Sequence, residues 1–89
     1  MIQELEDKIC VYFKIDKDKL IGKGHEKDAS LARGMLWYIL HYDMGVSSPM
    51  IAKNYDRGLR GVKHLIAKYK YIIENQRIYN EQYKAIKDM

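Results

Sequence analysis

The sequence predicts an all-α bundle of five or six helices. Three observations carry that expectation: apolar residues recur at three- and four-residue spacing along most of the chain, there is a single proline, and no stretch alternates apolar and polar residues as a half-buried strand would. At 89 residues the chain reads as one small domain, 1–89, near the size at which a single core suffices without disulfides or metal. No internal repeat, linker or low-complexity run interrupts it.

Ile2, Leu5, Ile9, Tyr12 and Phe13 form one apolar face, so residues 2–13 read as a first helix ending at the charged turn 14–17. Asp16 or Lys17 opens a short helix through Leu20 and Ile21, which Gly22 stops. Residues 23–27 are polar and contain glycine, a loop. Asp28 is an N-cap candidate for a longer central helix burying Ala32, Met35, Leu36, Ile39 and Leu40, with Gly45 as its C-terminal signal. Ser48 before Pro49 marks the next start, because serine can cap and proline in the first turn lacks only an N–H that would find no partner there. That helix runs to about Asn54. After a turn at 55–58, Leu59, Val62, Leu65, Ile66, Tyr69, Ile72 and Ile73 make one stripe, predicting a helix to about Asn75. Ile78, Tyr79, Tyr83 and Ile86 continue the pattern in a C-terminal extension, 76–89.

Residues 47–65 carry the spacing of a helix-turn-helix, which extends over about 47–75. Two short helices crossing steeply need a small residue on the first, here Ala52, and branched knobs on the second, Val62 and Leu65; Asp56 falls at the turn. The outer side of the second helix reads Arg60, Lys63, His64 and Lys68, a cationic face of the kind that enters a DNA major groove. Charge follows the same division. Residues 1–45 hold 7 Lys/Arg against 8 Asp/Glu, a net −1, whereas residues 46–89 hold 9 against 4, a net +5. The excess in the second half favours a polyanionic partner; a solvated basic surface that keeps the protein soluble explains the charge equally well.

Other chemistries lack their residues. There is no phosphate-binding GxxxxGK[ST] loop, no HExxH and no paired cysteine motif, and His25, His41 and His64 are scattered, so an enzyme, a metal and a cofactor are not expected. Cys10 is the only cysteine and sits among apolar residues, predicting a structural thiol in a reducing cytoplasm. The acidic amino terminus and the lack of a long apolar run predict no signal peptide and no membrane span. Most of the eight tyrosines and Trp37 are assigned to packing, with Tyr38, Tyr42 and Tyr71 as surface contacts. Gly61 has three readings: close approach of the helix backbone to a phosphate or base edge, a tolerated surface glycine, or close packing on the first helix of the motif.

In helix order the chain resembles the C-terminal DNA-binding domain of the bacterial replication initiator DnaA, a Trp-repressor-like helix-turn-helix bundle, over about residues 5–75. Tyr12-Phe13-Lys14-Ile15 with Leu20 and Lys23 resembles the family's opening segment. Ala32-Arg33-Gly34-Met35-Leu36-Trp37-Tyr38-Ile39 resembles its central helix, and Ser47, Ile51, Arg57, Val62 and His64 fall on later positions. The resemblance implies a DNA-binding fold that serves replication or transcription at the nucleoid. Two departures stand beside it. The loop that reaches the minor groove in the family is here Lys23-Gly24-His25-Glu26-Lys27-Asp28, diluted by acids, and the signature R-D-H-[ST]-T-V reads Arg57-Gly58-Leu59-Arg60-Gly61-Val62. The family's recognition sequence is therefore not carried over, and the family's ATPase module has no counterpart in this sequence.

The sequence thus predicts a double-stranded DNA-binding module. Arg60, Lys63, His64 and Lys68 would face the major groove; Lys53, Arg57, Arg33, Ser48, Lys23, His25 and Lys27 would hold the backbone. Roughly five phosphate contacts give a slope of log affinity against log salt of about −4 to −5. The alternative is a degenerate helix-turn-helix acting in protein interaction or as a homodimer through the tail 72–86, with Tyr79 and Ile86 in the interface.

Overall fold

In a computed structural model, which describes residues 2–24 and 26–89, the chain is all helical. Among the described residues six helices follow one another without a strand: α1 (Ile2–Phe13), α2 (Lys17–Ile21), α3 (Lys27–Tyr42), α4 (Ser48–Asn54), α5 (Leu59–Asn75) and α6 (Arg77–Lys87). The third is the axis of the bundle. Residues 32–40 are buried without interruption, because α1, α2, α4 and α5 all pack against α3. One contiguous core joins Ile9, Leu20, Met35, Leu36, Ile51, Val62, Ile73 and Ile86, drawing on every helix. Each such side chain contributes about 1.5–3 kcal/mol by leaving water.

Helix ends follow local chemistry. Gly45 adopts φ +72°, a left-handed conformation that closes α3 by letting Val46 N–H donate to Leu40 O at 2.9 Å. The start of α4 lies one residue earlier than its sequence suggests: Ser47, not Ser48, is the cap, its Oγ accepting from Met50 N–H at 3.3 Å. Likewise α3 begins at Lys27, so Asp28 lies in its first turn, where a carboxylate favours the helix dipole, rather than capping it. Asp56, at φ +53°, makes the turn between α4 and α5. Gln76 leaves helical geometry and separates α5 from α6, and Asn80 Nδ2 donates to Ile73 O at 3.1 Å across the break.

Close approach of α5 to α3 depends on a glycine. The Tyr69 ring lies directly over the Cα of Gly34, where a β-carbon would overlap the ring and come within 2.6 Å of its Cζ. At the other end Ala52 is buried and Val62 fully so, as the α4–α5 spacing requires.

The final helix folds back onto α5 and α1. Ile86 is fully buried there, Tyr79 and Tyr83 are half-buried, and Tyr83 donates to Asp43 Oδ2 at 2.7 Å. Of the tail expected to offer a dimer surface, Ile86 is thus packed into its own bundle, and its substitution tests folding rather than association; Ile78 remains exposed. Tyr38 also departs from expectation: it is buried, edge-on to Tyr83 at 5.3 Å, because α6 covers the side of α3 that the sequence leaves open. No helix of the described residues is long and apolar enough to cross a membrane.

Buried hydroxyls give the fold an alkaline limit. Burial pushes Tyr38 up to about 12 and raises Tyr69, while burial and hydrogen bonds to carboxylates raise Tyr55, through Glu6, and Tyr83, through Asp43. A folded-state value above the unfolded one, about 10, leaves stability intact below about pH 10 and erodes it as pH climbs toward the folded values. Thermal midpoints should therefore stay level from neutral pH to about 9 and fall beyond 10. Tyr38→Phe, which removes one such group, should make the fall shallower.

Candidate nucleic-acid interface

From Ser48 to Ile73 the chain contains a single carboxylate, Asp56, and its Oδ2 lies 3.4 Å from Lys23 Nζ. No acid lies on α4, and the first on α5 is Glu74, paired with Lys70 at 2.9 Å. The reason is the amphipathic pattern of α5. Val62, Ile66, Tyr69 and Ile73 bury one stripe against the core, so the opposite stripe faces solvent and carries Arg60, His64, Ala67 and Tyr71. Lys63 flanks this row on one side and Lys68 on the other. At 1.5 Å per residue, the row from 60 to 71 spans about 16 Å.

Five of the residues expected to meet DNA, Lys53, Arg60, Lys63, His64 and Lys68, are exposed on α4 and α5. Among the described residues none of the four lysine and arginine side chains in this set has a carboxylate within ion-pair distance; Lys68 Nζ instead sits 5.9 Å from the Tyr69 ring centre. Lys27 is exposed at the start of α3, on a groove it shares with Lys68. Lys23 is exposed as well, its ammonium facing Asp56. His25 lies outside the described residues.

Three expected contacts are placed differently. Arg33 is 4% exposed, and its guanidinium serves the carboxyl end of α2: Nε donates to Leu20 O at 2.9 Å, Nη2 to Lys19 O at 2.9 Å and Nη1 to Gly24 O at 3.2 Å. A helix this short leaves its last carbonyls without partners, and Arg33 supplies them. Burial, with Arg57 nearby, lowers the Arg33 pKa from its ordinary value. Arg57 is half-buried and does related work, its Nη2 donating to Gly22 O while the guanidinium carbon lies 5.6 Å from the centre of the Trp37 ring. Ser48 is 9% exposed inside the first turn of α4. Arg33 and Ser48 are therefore removed from the phosphate-binding set, and Arg57 is a structural anchor of the 22–24 loop. The sequence did carry a hint for Arg33, the only charge within an apolar run from Ala32 to Leu40.

Glycines at 58 and 61 have no packing reason. A β-carbon at either position would meet nothing within 4 Å, which excludes close packing of Gly61 on the preceding helix. Gly61→Ala should accordingly raise stability by about 0.5–1 kcal/mol, the helix-propensity difference, and raise the thermal midpoint by a few degrees. Destabilisation would reveal a contact at this position.

Tyr55 fixes the turn from below, donating to Glu6 Oε2 at 2.6 Å. Glu6 in turn lies 3.8 Å from Lys17, so a carboxylate on α1 holds the α4–α5 turn in place. No local pattern signals this pairing, which spans 49 positions. Cys10 is half-buried, and burial raises its thiol. No cluster of three or more His, Cys, Asp or Glu among the described residues is arranged to hold a metal ion. Comparison with models of known protein families and with curated proteins finds no match to the chain.

Proposed function

We propose that this chain is a double-stranded DNA-binding module in which α4 and α5 act as a helix-turn-helix and α5 enters the major groove. The observation that carries the reading is the exposed, acid-free face of α5, with Arg60, Lys63, His64 and Lys68 free of carboxylate partners among the described residues while the opposite face is locked into the core. Long cationic side chains on a rigid helix suit base-edge and phosphate contacts, and Lys53 on α4 adds a backbone contact on the flank. Gly58 and Gly61 keep one side of α5 bare, so a phosphate can approach its main chain near the amino-terminal N–H groups.

The resemblance to the initiator's DNA-binding domain supports the same reading. It does not extend to the recognition sequence, since the signature positions differ. The dimer alternative has less to support it, because Ile86 is occupied within the bundle. Fluorescence anisotropy with mixed-sequence duplexes at low salt should show binding in the micromolar range or tighter, and selection from a random pool would then separate a defined site from general affinity. An unchanged signal at micromolar protein would remove the proposal.

A further inference from the structure

We infer that the cleft between α3 and the first turns of α5 is a binding site for an oxyanion carried on an apolar body, a carboxylate or phosphate ester of a small hydrophobic molecule. The cleft has a volume of about 300 Å³, at the small end of ligand pockets. Val62, Leu65 and the Trp37 ring give it apolar walls, and Ser30, Arg57 and His64 give it polar ones; every ionisable residue on its lining is basic or a histidine. An adjoining groove shares Ser30 and continues past Leu31, Lys68 and Ile72, again without a carboxylate. Gly58 and Gly61 leave the α5 side of the mouth open.

Two N–H groups on lining residues point to the chemistry of the occupant. Trp37 is 2% exposed, and its Nε1–H is buried with no acceptor among the described residues; nor has the buried Arg57 Nε–H a partner among them. A desolvated donor without a partner costs stability, and an acceptor brought to it converts that cost into affinity. Both Arg57 hydrogen bonds, to Ile21 O and Gly22 O, leave from Nη2, so its Nε–H is not committed to either carbonyl. With Arg33 behind it and no acid in front, the site favours a negative acceptor over a neutral one. Val62 and Leu65 favour an acceptor with hydrocarbon attached over a bare ion.

The site borders the proposed DNA face, with Gly58, Gly61 and His64 common to both, and one experiment separates the two. Trp37 is the sole tryptophan, so its emission reports on the cleft directly. Titration of the full chain with octanoate should give a saturable change with Kd below about 1 mM, while octanol and inorganic phosphate respond at least about ten-fold more weakly. Gly61→Leu fills open space at the mouth and should fold normally yet weaken octanoate about ten-fold; Arg57→Gln should weaken octanoate by as much, with some loss of stability because Arg57 also anchors Gly22. Arg60→Glu with Lys63→Glu should leave octanoate binding unchanged whether or not the chain binds DNA. No saturable change up to about 10 mM octanoate, an equal response to phosphate alone, or a Gly61→Leu protein that titrates like the parent would each overturn the site.

Discussion

Gly34→Ala is expected to destabilise the protein by about 3 kcal/mol, the upper end of the usual cost of overpacking a core. The added carbon has no empty space to enter. Tyr69 is 6% exposed and its ring rests on the Gly34 backbone, so either the ring leaves its pocket or α3 and α5 move apart. Both alternatives disturb one of the two most extensive helix contacts in the bundle, since Met35 and Leu36 on α3 and Val62 and Ile66 on α5 belong to the same core. For a domain of this size the change corresponds to a fall in thermal midpoint of roughly 12–24 °C. A double-mutant cycle assigns the cause: with Tyr69→Leu already in place, Gly34→Ala should cost less than about 1 kcal/mol, because the overlapping ring is gone. A Gly34→Ala protein melting within about 2 °C of the parent would contradict the packing described.

The second large effect lies on the exposed side of α5. Arg60→Glu combined with Lys63→Glu should weaken duplex DNA binding on the order of 100-fold, because two cationic contacts are lost and two repulsions introduced. Stability should change little, as neither side chain is buried or ion-paired. Arg77→Glu with Lys84→Glu on α6 makes the same change in net charge outside the cationic set of α4 and α5. That control should lose no more than about three-fold, which separates a docking face from a general attraction. Equal losses from the two pairs would place the interface elsewhere.

Signals within a turn or two of their effect were legible in the sequence. Gly45 ends α3 because a left-handed residue is needed there, the Ser-Ser-Pro start announces α4 to within one residue, and the apolar period of α5 defines both its buried stripe and its cationic face. Non-local pairings were not legible. A charge in a helical pattern is assigned to solvent by default, yet Arg33 is buried because α2, 13 and 14 positions away, ends in carbonyls that need donors. Tyr38 looked exposed until α6 covered it, and the same packing removed Ile86 from any dimer surface. The Trp37–Arg57 cleft was hidden for the same reason, being assembled from α3 and the α4–α5 turn.

These placements also refine the expected electrostatics. With Arg33 and Ser48 buried, Arg57 holding Gly22 and Lys23 facing Asp56, four exposed cations on α4 and α5 remain without carboxylate partners among the described residues: Lys53, Arg60, Lys63 and Lys68. The most direct measurement is the salt dependence of duplex affinity, followed by anisotropy across a range of monovalent salt. Four phosphate contacts predict a straight line of log affinity against log salt with a slope of about −3 to −4, shallower than the sequence alone suggests. An affinity that does not change with salt, or no binding to duplex DNA at low salt, would contradict the account.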